Sequence, residues 1–303
     1  MLSKQVIPCG LSILLSCTAM AQNPGGNLKI DVDLVAVTAT VTDSENRPVT
    51  TLRSDDFQVW EDKIEQRIES FSIEDDPISV GLIFDVSSSM SSKMASARDA
   101  AVTFLRNGNS DDEYFLIEFS NKASVTAEFS QNIADFQRQI AFTSAQGRTA
   151  LYDAVYLGLD KVMSGHNPRK ALLLITDGED NHSRYTAANI REFLREKDVQ
   201  VYAIGLEEFG RSRPGRTALE ELAETSGGRA FFIDSVQDLE NVCVKIAQLL
   251  KNQYVVAYRS TNSAKDGNWR KVRLKVNPPS GIAHLNVRSK PGYYAPASEA
   301  RLK

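Results

Sequence analysis

Cysteine and histidine are scarce in this chain: three of each occur in 303 residues. Cys9 and Cys17 fall in an apolar leader, so the body of the chain keeps only Cys243 and has no pair for an internal disulfide. Cys243 lies in Leu239-x-x-Val242-Cys243-x-x-Ile246-Ala247-x-x-Leu250, the apolar face of a helical pattern, and reads as a buried, inert thiol. His166, His182 and His284 have no zinc-ligand spacing. There is no Gly-x-Ser-x-Gly elbow and no phosphate-cradling Gly-x-x-x-x-Gly-Lys loop, which removes two large enzyme classes. The formal net charge is -4 with both signs interspersed, and no basic stripe marks a nucleic-acid binder. Beyond the leader, no run is long and apolar enough for a transmembrane helix.

What is present is an ordinary globular composition, 42% hydrophobic and 24% charged, in a chain long enough to bury a sizeable core. The N-terminus departs from it. Lys4 precedes an apolar stretch over 9–21, and Ala19-Met20-Ala21 is a small-x-small cleavage site followed by Gln22. Residues 1–21 therefore read as a signal peptide, and the protein is expected to be secreted or periplasmic. Leu14-Leu15-Ser16 before Cys17 offers a lipoprotein anchor as a minor alternative.

Residues 22–76 form a β-rich flank after a Gly/Asn/Pro linker at 23–27. A long strand over 28–41 changes apolar phase near Leu34-Val35, where a bulge is expected. Short strands are expected at 49–52, 57–61 and 66–73, with a turn at Asp62-Lys63. From 77 to 252 apolar runs alternate with helical periods. Strands are expected at 78–85, 113–119, 123–129, 171–176, 199–205 and 229–233, and helices at 91–107, 131–141, 150–163, 186–197, 217–226 and 235–251. The nearly continuous apolar runs fit strands covered on both faces. The alternation implies a doubly wound α/β domain with a mainly parallel sheet. Residues 253–295 turn β again, and 296–303 read as a tail. Neither flank is large enough to make a core by itself, so the two are expected to pair into one β-sandwich with the α/β domain inserted in it.

The richest motif is Phe84-Asp85-Val86-Ser87-Ser88-Ser89-Met90, where an apolar strand runs into a polar turn and then a helix. Asp85, Ser87 and Ser89 stand at i, i+2 and i+4, so an extended backbone points them the same way. Such a set of oxygens suits a hard divalent cation, although Ser or Asp before a helix also serves as an N-cap. Gly147-Arg148-Thr149-Ala150-Leu151 puts a threonine before another helix, and Leu174-Ile175-Thr176-Asp177-Gly178 puts an aspartate at the end of a second buried strand. In open α/β sheets ligands bind beyond the carboxyl ends of the strands, where Asp85 and Asp177 both fall.

Asp85, Ser87, Ser89, Thr149 and Asp177 together resemble the metal-ion-dependent adhesion site of von Willebrand factor A-type domains. The flanks are similar to those of secreted bacterial proteins related to that group, through Val41-Thr42-Asp43, Asp56-Phe57-x-Val59-x-Glu61-Asp62, Trp269-Arg270-Lys271 and Pro291-Gly292-Tyr293-Tyr294. The resemblance implies Mg²⁺, with Mn²⁺ or Ca²⁺ as alternatives, held through Ser87, Ser89 and Thr149, with Asp85 and Asp177 acting largely through water. It implies a protein partner that presents an Asp or Glu to the ion. Arg148, His182, Arg184, Arg211 and Arg213 are expected to form a basic rim that steers an acidic surface. A metal-assisted hydrolase using the same ion, with Glu179 or Asp180 as base, is the enzymatic alternative. A partner of a motor ATPase is the second alternative, which the leader opposes.

Overall fold

The computed structural model describes residues 34–141, 143–177, 179–206, 213–278 and 284–297. The leader, the linker and the first part of the 28–41 strand lie outside the described residues.

The N-terminal flank supplies β1 (Leu34–Thr42), β2 (Phe57–Glu61), β3 (Ile64–Gln66) and β4 (Ile68–Glu74). The α/β part follows in the order β5 (Ile78–Asp85), α1 (Met94–Arg106), β6 (Glu113–Phe119), β7 (Ala123–Ser130), α2 (Ile133–Ala141), α3 (Leu151–Val162) and β8 (Arg169–Thr176). It continues through α4 (Ala187–Glu196), β9 (Gln200–Leu206), α5 (Arg213–Ser226), β10 (Arg229–Ile233) and α6 (Leu239–Lys251). The C-terminal flank adds β11 (Gln253–Arg259), β12 (Trp269–Val276), β13 (Asn286–Ser289) and β14 (Gly292–Tyr294).

The central sheet has the order β10-β9-β8-β5-β6-β7. Its pairs are parallel except for β6 with β7. Every residue of β5 is buried, as a strand covered on both faces requires. Side-chain alternation sorts the strand residues into two layers. Val80, Leu82, Phe84, Leu173, Ile175 and Ile204 pack with residues of α1, α2 and α6. Ile83, Phe115, Ile117, Leu172, Leu174 and Ala203 pack with residues of α3, α4 and α5. Each buried Leu, Ile or Phe contributes about 2 kcal/mol, so one strand anchors both helix layers. The chain leaves β5 toward β6 and β7, then returns to β5's other side as β8. That reversal of direction places a crevice at the carboxyl ends of β5 and β8.

The flanks form two further sheets, β13-β1-β11-β4 and β14-β12-β2-β3, each with strands from both ends of the chain. Val37, Ala39, Val41, Phe57, Val59, Tyr254, Val256, Tyr258, Val272 and Leu274 share one apolar core. The expected composite sandwich is therefore what the chain builds. The α/β part leaves it after β4 and returns at β11, which are antiparallel neighbours with Glu74 opposite Gln253. Arg169 staples this junction, donating to Asp76 O at 2.6 Å, to Gln253 Oε1 at 2.7 Å and to Leu250 O.

Three local expectations need correction. Residues 49–52 form no strand: Pro48 makes only an isolated bridge to Thr42. The Tyr254 hydroxyl instead accepts from Leu52 N at 3.1 Å and donates to Val49 O at 2.8 Å, so a side chain takes the place of a ladder. The 66–73 strand is split, because Gln66 pairs with β2 in one sheet while Ile68 already pairs with β11 in the other. The bulge expected at Leu34-Val35 is not there. β1 runs in unbroken register from Leu34 opposite Arg259 to Ala39 opposite Tyr254, and the irregularity falls between β11 and β4 at Ala257/Tyr258.

Candidate metal centre

Asp85 is the last residue of β5, and Asp177 directly follows β8, the strand beside it. Parallel pairing of Phe84 with Ile175 thus delivers both carboxylates to one edge. After Asp85 the chain stays extended to Ser87, whose φ is -68° and ψ 164°, and then forms a short 3-10 turn over Ser88–Ser92. The extended backbone expected through Ser89 thus stops at Ser87; the 3-10 turn brings Ser89 back to it, and their hydroxyl oxygens lie 3.0 Å apart. Ser89 Oγ donates to Asp177 Oδ1 at 2.7 Å. Three side chains from two loops thus form one continuous chain of oxygens.

Asp85 is fully buried and accepts from Ser87 N at 2.8 Å and from the Thr176 hydroxyl. Burial pushes its carboxyl up to about 6; those hydrogen bonds pull the other way, and the charge of Asp177 adds to the rise. Asp177 also takes the Lys93 ammonium, with Nζ 2.6 Å from Oδ2.

Thr149 reaches the same edge on a separate loop, which the backbone ties to the first: Gln146 N donates to Val86 O at 2.7 Å and Ser88 N to Gly147 O at 3.1 Å. Gly147 permits this turn, with φ of +86°, and a Cβ there would meet Asn121 Nδ2 at 2.8 Å. Asn181 clamps Thr149 from the other side, since Thr149 N donates to Asn181 Oδ1 at 3.0 Å and Asn181 N to Thr149 O at 3.0 Å. Asp153, on the first turn of α3, accepts from Arg184 N at 2.8 Å and Tyr185 N at 3.1 Å and so fixes the loop that carries Asn181.

Of the five expected metal residues, the hydrogen bonds link Asp85 to Ser87, Ser87 to Ser89 and Ser89 to Asp177, and the loop contacts set Thr149 alongside. The donor set is all oxygen and rich in hydroxyls, which fits a hard dication. Among the described residues there is no cluster of three or more His, Cys, Asp or Glu suited to a metal. Of the rim residues, Arg148 is exposed and its backbone N donates to Asn121 Oδ1 at 2.9 Å, while His182 is exposed beside Asn181. Arg184 turns Nε to Asp153 at 3.1 Å, which makes it a loop anchor as well as a surface charge. Arg211 and the side chain of Arg213 lie outside the described residues. Sequence reading missed Thr176, Lys93, Asn181 and Asp153. Thr176 sits beside Asp177 in the motif, whereas the other three contact the site only through the fold.

The model for the von Willebrand factor type A domain matches residues 79–243, more than half of the chain. No curated protein matches. Solved structures share the fold. A von Willebrand factor type A protein from Catenulispora acidiphila superposes with a TM-score of 0.52 at 13% identity, over 82% of this chain and 76% of its own. Proximal thread matrix protein 1 from the mussel byssus, with zinc in its MIDAS motif, gives 0.53 at 18% identity over 63% of this chain. The match spans only 49% of the mussel protein. The D319A mutant of the PilB minor pilin from Streptococcus sanguinis gives 0.50 at 15% identity, over 58% of this chain and 62% of its own.

Proposed function

Because the chain belongs to the von Willebrand factor type A domain family, we propose that it is a divalent-cation-dependent protein-binding module for adhesion or assembly. Ser87, Ser89 and Thr149 hold the ion by their hydroxyls, and Asp85 and Asp177 hold it largely through water. Mg²⁺ is the proposed ion, with Mn²⁺ or Ca²⁺ able to substitute. When bound, the ion supplies a positive centre on which an anionic group docks. The partner is a protein presenting an Asp or Glu carboxylate. The observation that carries this reading is the unbroken oxygen chain from Asp177 through Ser89 to Ser87. The zinc-loaded mussel structure supports it by showing that a protein of this fold takes a metal at its MIDAS motif.

We place the binding function in residues 77–252 and give the flanks, 22–76 and 253–295, the role of carrier. The leader at 1–21 makes the protein secreted or periplasmic in this proposal. No helix among the described residues is long and apolar enough to cross a membrane. The rim of Arg148, His182, Arg184, Arg211 and Arg213 steers an acidic partner surface. For the alternative of hydrolysis by the same ion, with Glu179 or Asp180 as base, Asp180 Oδ1 is engaged by the Ser183 hydroxyl and by Tyr152 N at 3.4 Å. The test is capture of proteins from an envelope extract with Mg²⁺, with chelator, and with D85A. A partner held only by the wild type with Mg²⁺ is the expected result, and capture indifferent to all three conditions contradicts the proposal.

A further inference from the structure

Lys93 closes the 3-10 turn after Ser89 and precedes the first residue of α1. Its backbone is fixed by donation from Lys93 N to Met90 O at 2.9 Å and from Ala97 N to Lys93 O at 3.0 Å. Its side chain is 11% exposed and that of Asp177 only 2%, with 2.6 Å between Nζ and Oδ2. A flexible surface lysine is not held in this way; this ammonium belongs to the interior of the site.

The consequence is electrostatic. The site brings together two carboxylates, Asp85 and Asp177, and one buried ammonium. A dication entering beside them meets a fixed positive charge at close range, in surroundings where water screens poorly. Once the site is loaded, the ammonium and the dication repel one another, and an anionic group docked on the ion relieves that repulsion. From this geometry we infer that Lys93 is a tuning residue: it weakens the grip of the site on a divalent cation and strengthens the grip of the loaded site on a carboxylate. The inference rests on the reading of Asp85, Ser87, Ser89, Thr149 and Asp177 as a cation site. It goes beyond that reading by assigning the demand for an acidic partner to a residue outside the five.

The experiment measures Mn²⁺ binding to the whole chain by electron paramagnetic resonance, for the wild type and three variants. Lys93→Gln keeps a hydrogen-bond donor for Asp177 without the charge, Lys93→Met keeps the apolar stem, and Lys93→Arg keeps the charge. The two neutral variants are expected to bind Mn²⁺ about tenfold tighter than the wild type, and the arginine variant within about threefold of it. Acetate titrated onto the Mn²⁺-loaded proteins, followed by water-proton relaxation, is expected to bind about tenfold more weakly to the neutral variants. Thermal unfolding of each variant identifies the folded ones, and one folded neutral variant suffices. If the wild type binds Mn²⁺ but neither neutral variant binds it more tightly, the role of Lys93 is overturned while the site stands. If the wild type takes up no Mn²⁺, the site reading falls and this inference with it.

Discussion

The two ends of the central sheet each bury a carboxylate, and the fold treats them oppositely. At the amino end, Glu113 opens β6 beside Ser79 of β5. It accepts from Ser79 Oγ at 2.7 Å and from His166 N, and its Oε2 faces His166 Nδ1 at 2.9 Å. Burial alone would raise its pKa, but these hydrogen bonds outweigh burial and hold it below the usual glutamate range. At the carboxyl end Asp85 has donors too, yet burial and the neighbouring Asp177 win and its carboxyl rises to about 6. A carboxylate that serves only the fold is compensated within the fold. One left under-compensated at a ligand-binding edge stands to gain from an added cation.

The sharpest way to break this contrast is to delete each carboxylate and titrate the metal. D85A is expected to weaken Mn²⁺ binding by about a hundredfold, while E113Q leaves it within about twofold. Equal losses in both would erase the distinction between the two ends. The next effect is on stability. E113Q deprives the Ser79 hydroxyl and the His166 amide of their anion and is expected to cost about 2 kcal/mol in denaturant unfolding.

The pH response comes next and carries the opposite sign at the two ends. Asp85 has a folded pKa raised above its unfolded value, so between about pH 4 and 6 the folded chain keeps a proton that the unfolded chain has lost. Stability from this group is full below pH 4 and is lost as pH rises through 6, by about 3 kcal/mol. Chelator-treated D85N is expected to lose that slope; a slope unchanged in the variant would show that another group sets it. Glu113, with its lowered pKa, contributes stability above its unfolded pKa, lost as pH falls through the folded value. The smallest expected effect is that of N181A, which loosens the clamp on Thr149 and should weaken Mn²⁺ binding about fivefold.

How much of this was legible in the sequence follows from the range of each interaction. Asp85, Ser87 and Ser89 declare themselves because a two-residue period at a strand end is a local property. Asp177 and Thr149 each sit at a strand or helix boundary that apolar periodicity locates. Lys93 reaches Asp177 across 84 residues and Asn181 reaches Thr149 across 32, and nothing in the local pattern of either marks the contact. The sandwich follows from the size of the flanks, since neither buries enough alone, yet its weave is set by tertiary contacts. Residues 49–52 have strand-like composition, but the Tyr254 hydroxyl claims their backbone. The chain changes sheets at Arg67, where alternation shows no break.

The most direct test is a crystal of the whole chain soaked in Mn²⁺ and measured for anomalous scattering. One strong peak is expected at the carboxyl ends of β5 and β8, about 2.2 Å from the hydroxyl oxygens of Ser87 and Ser89. Peaks elsewhere, or none at that edge with those two serines still hydrogen-bonded to each other and to Asp177, would contradict it.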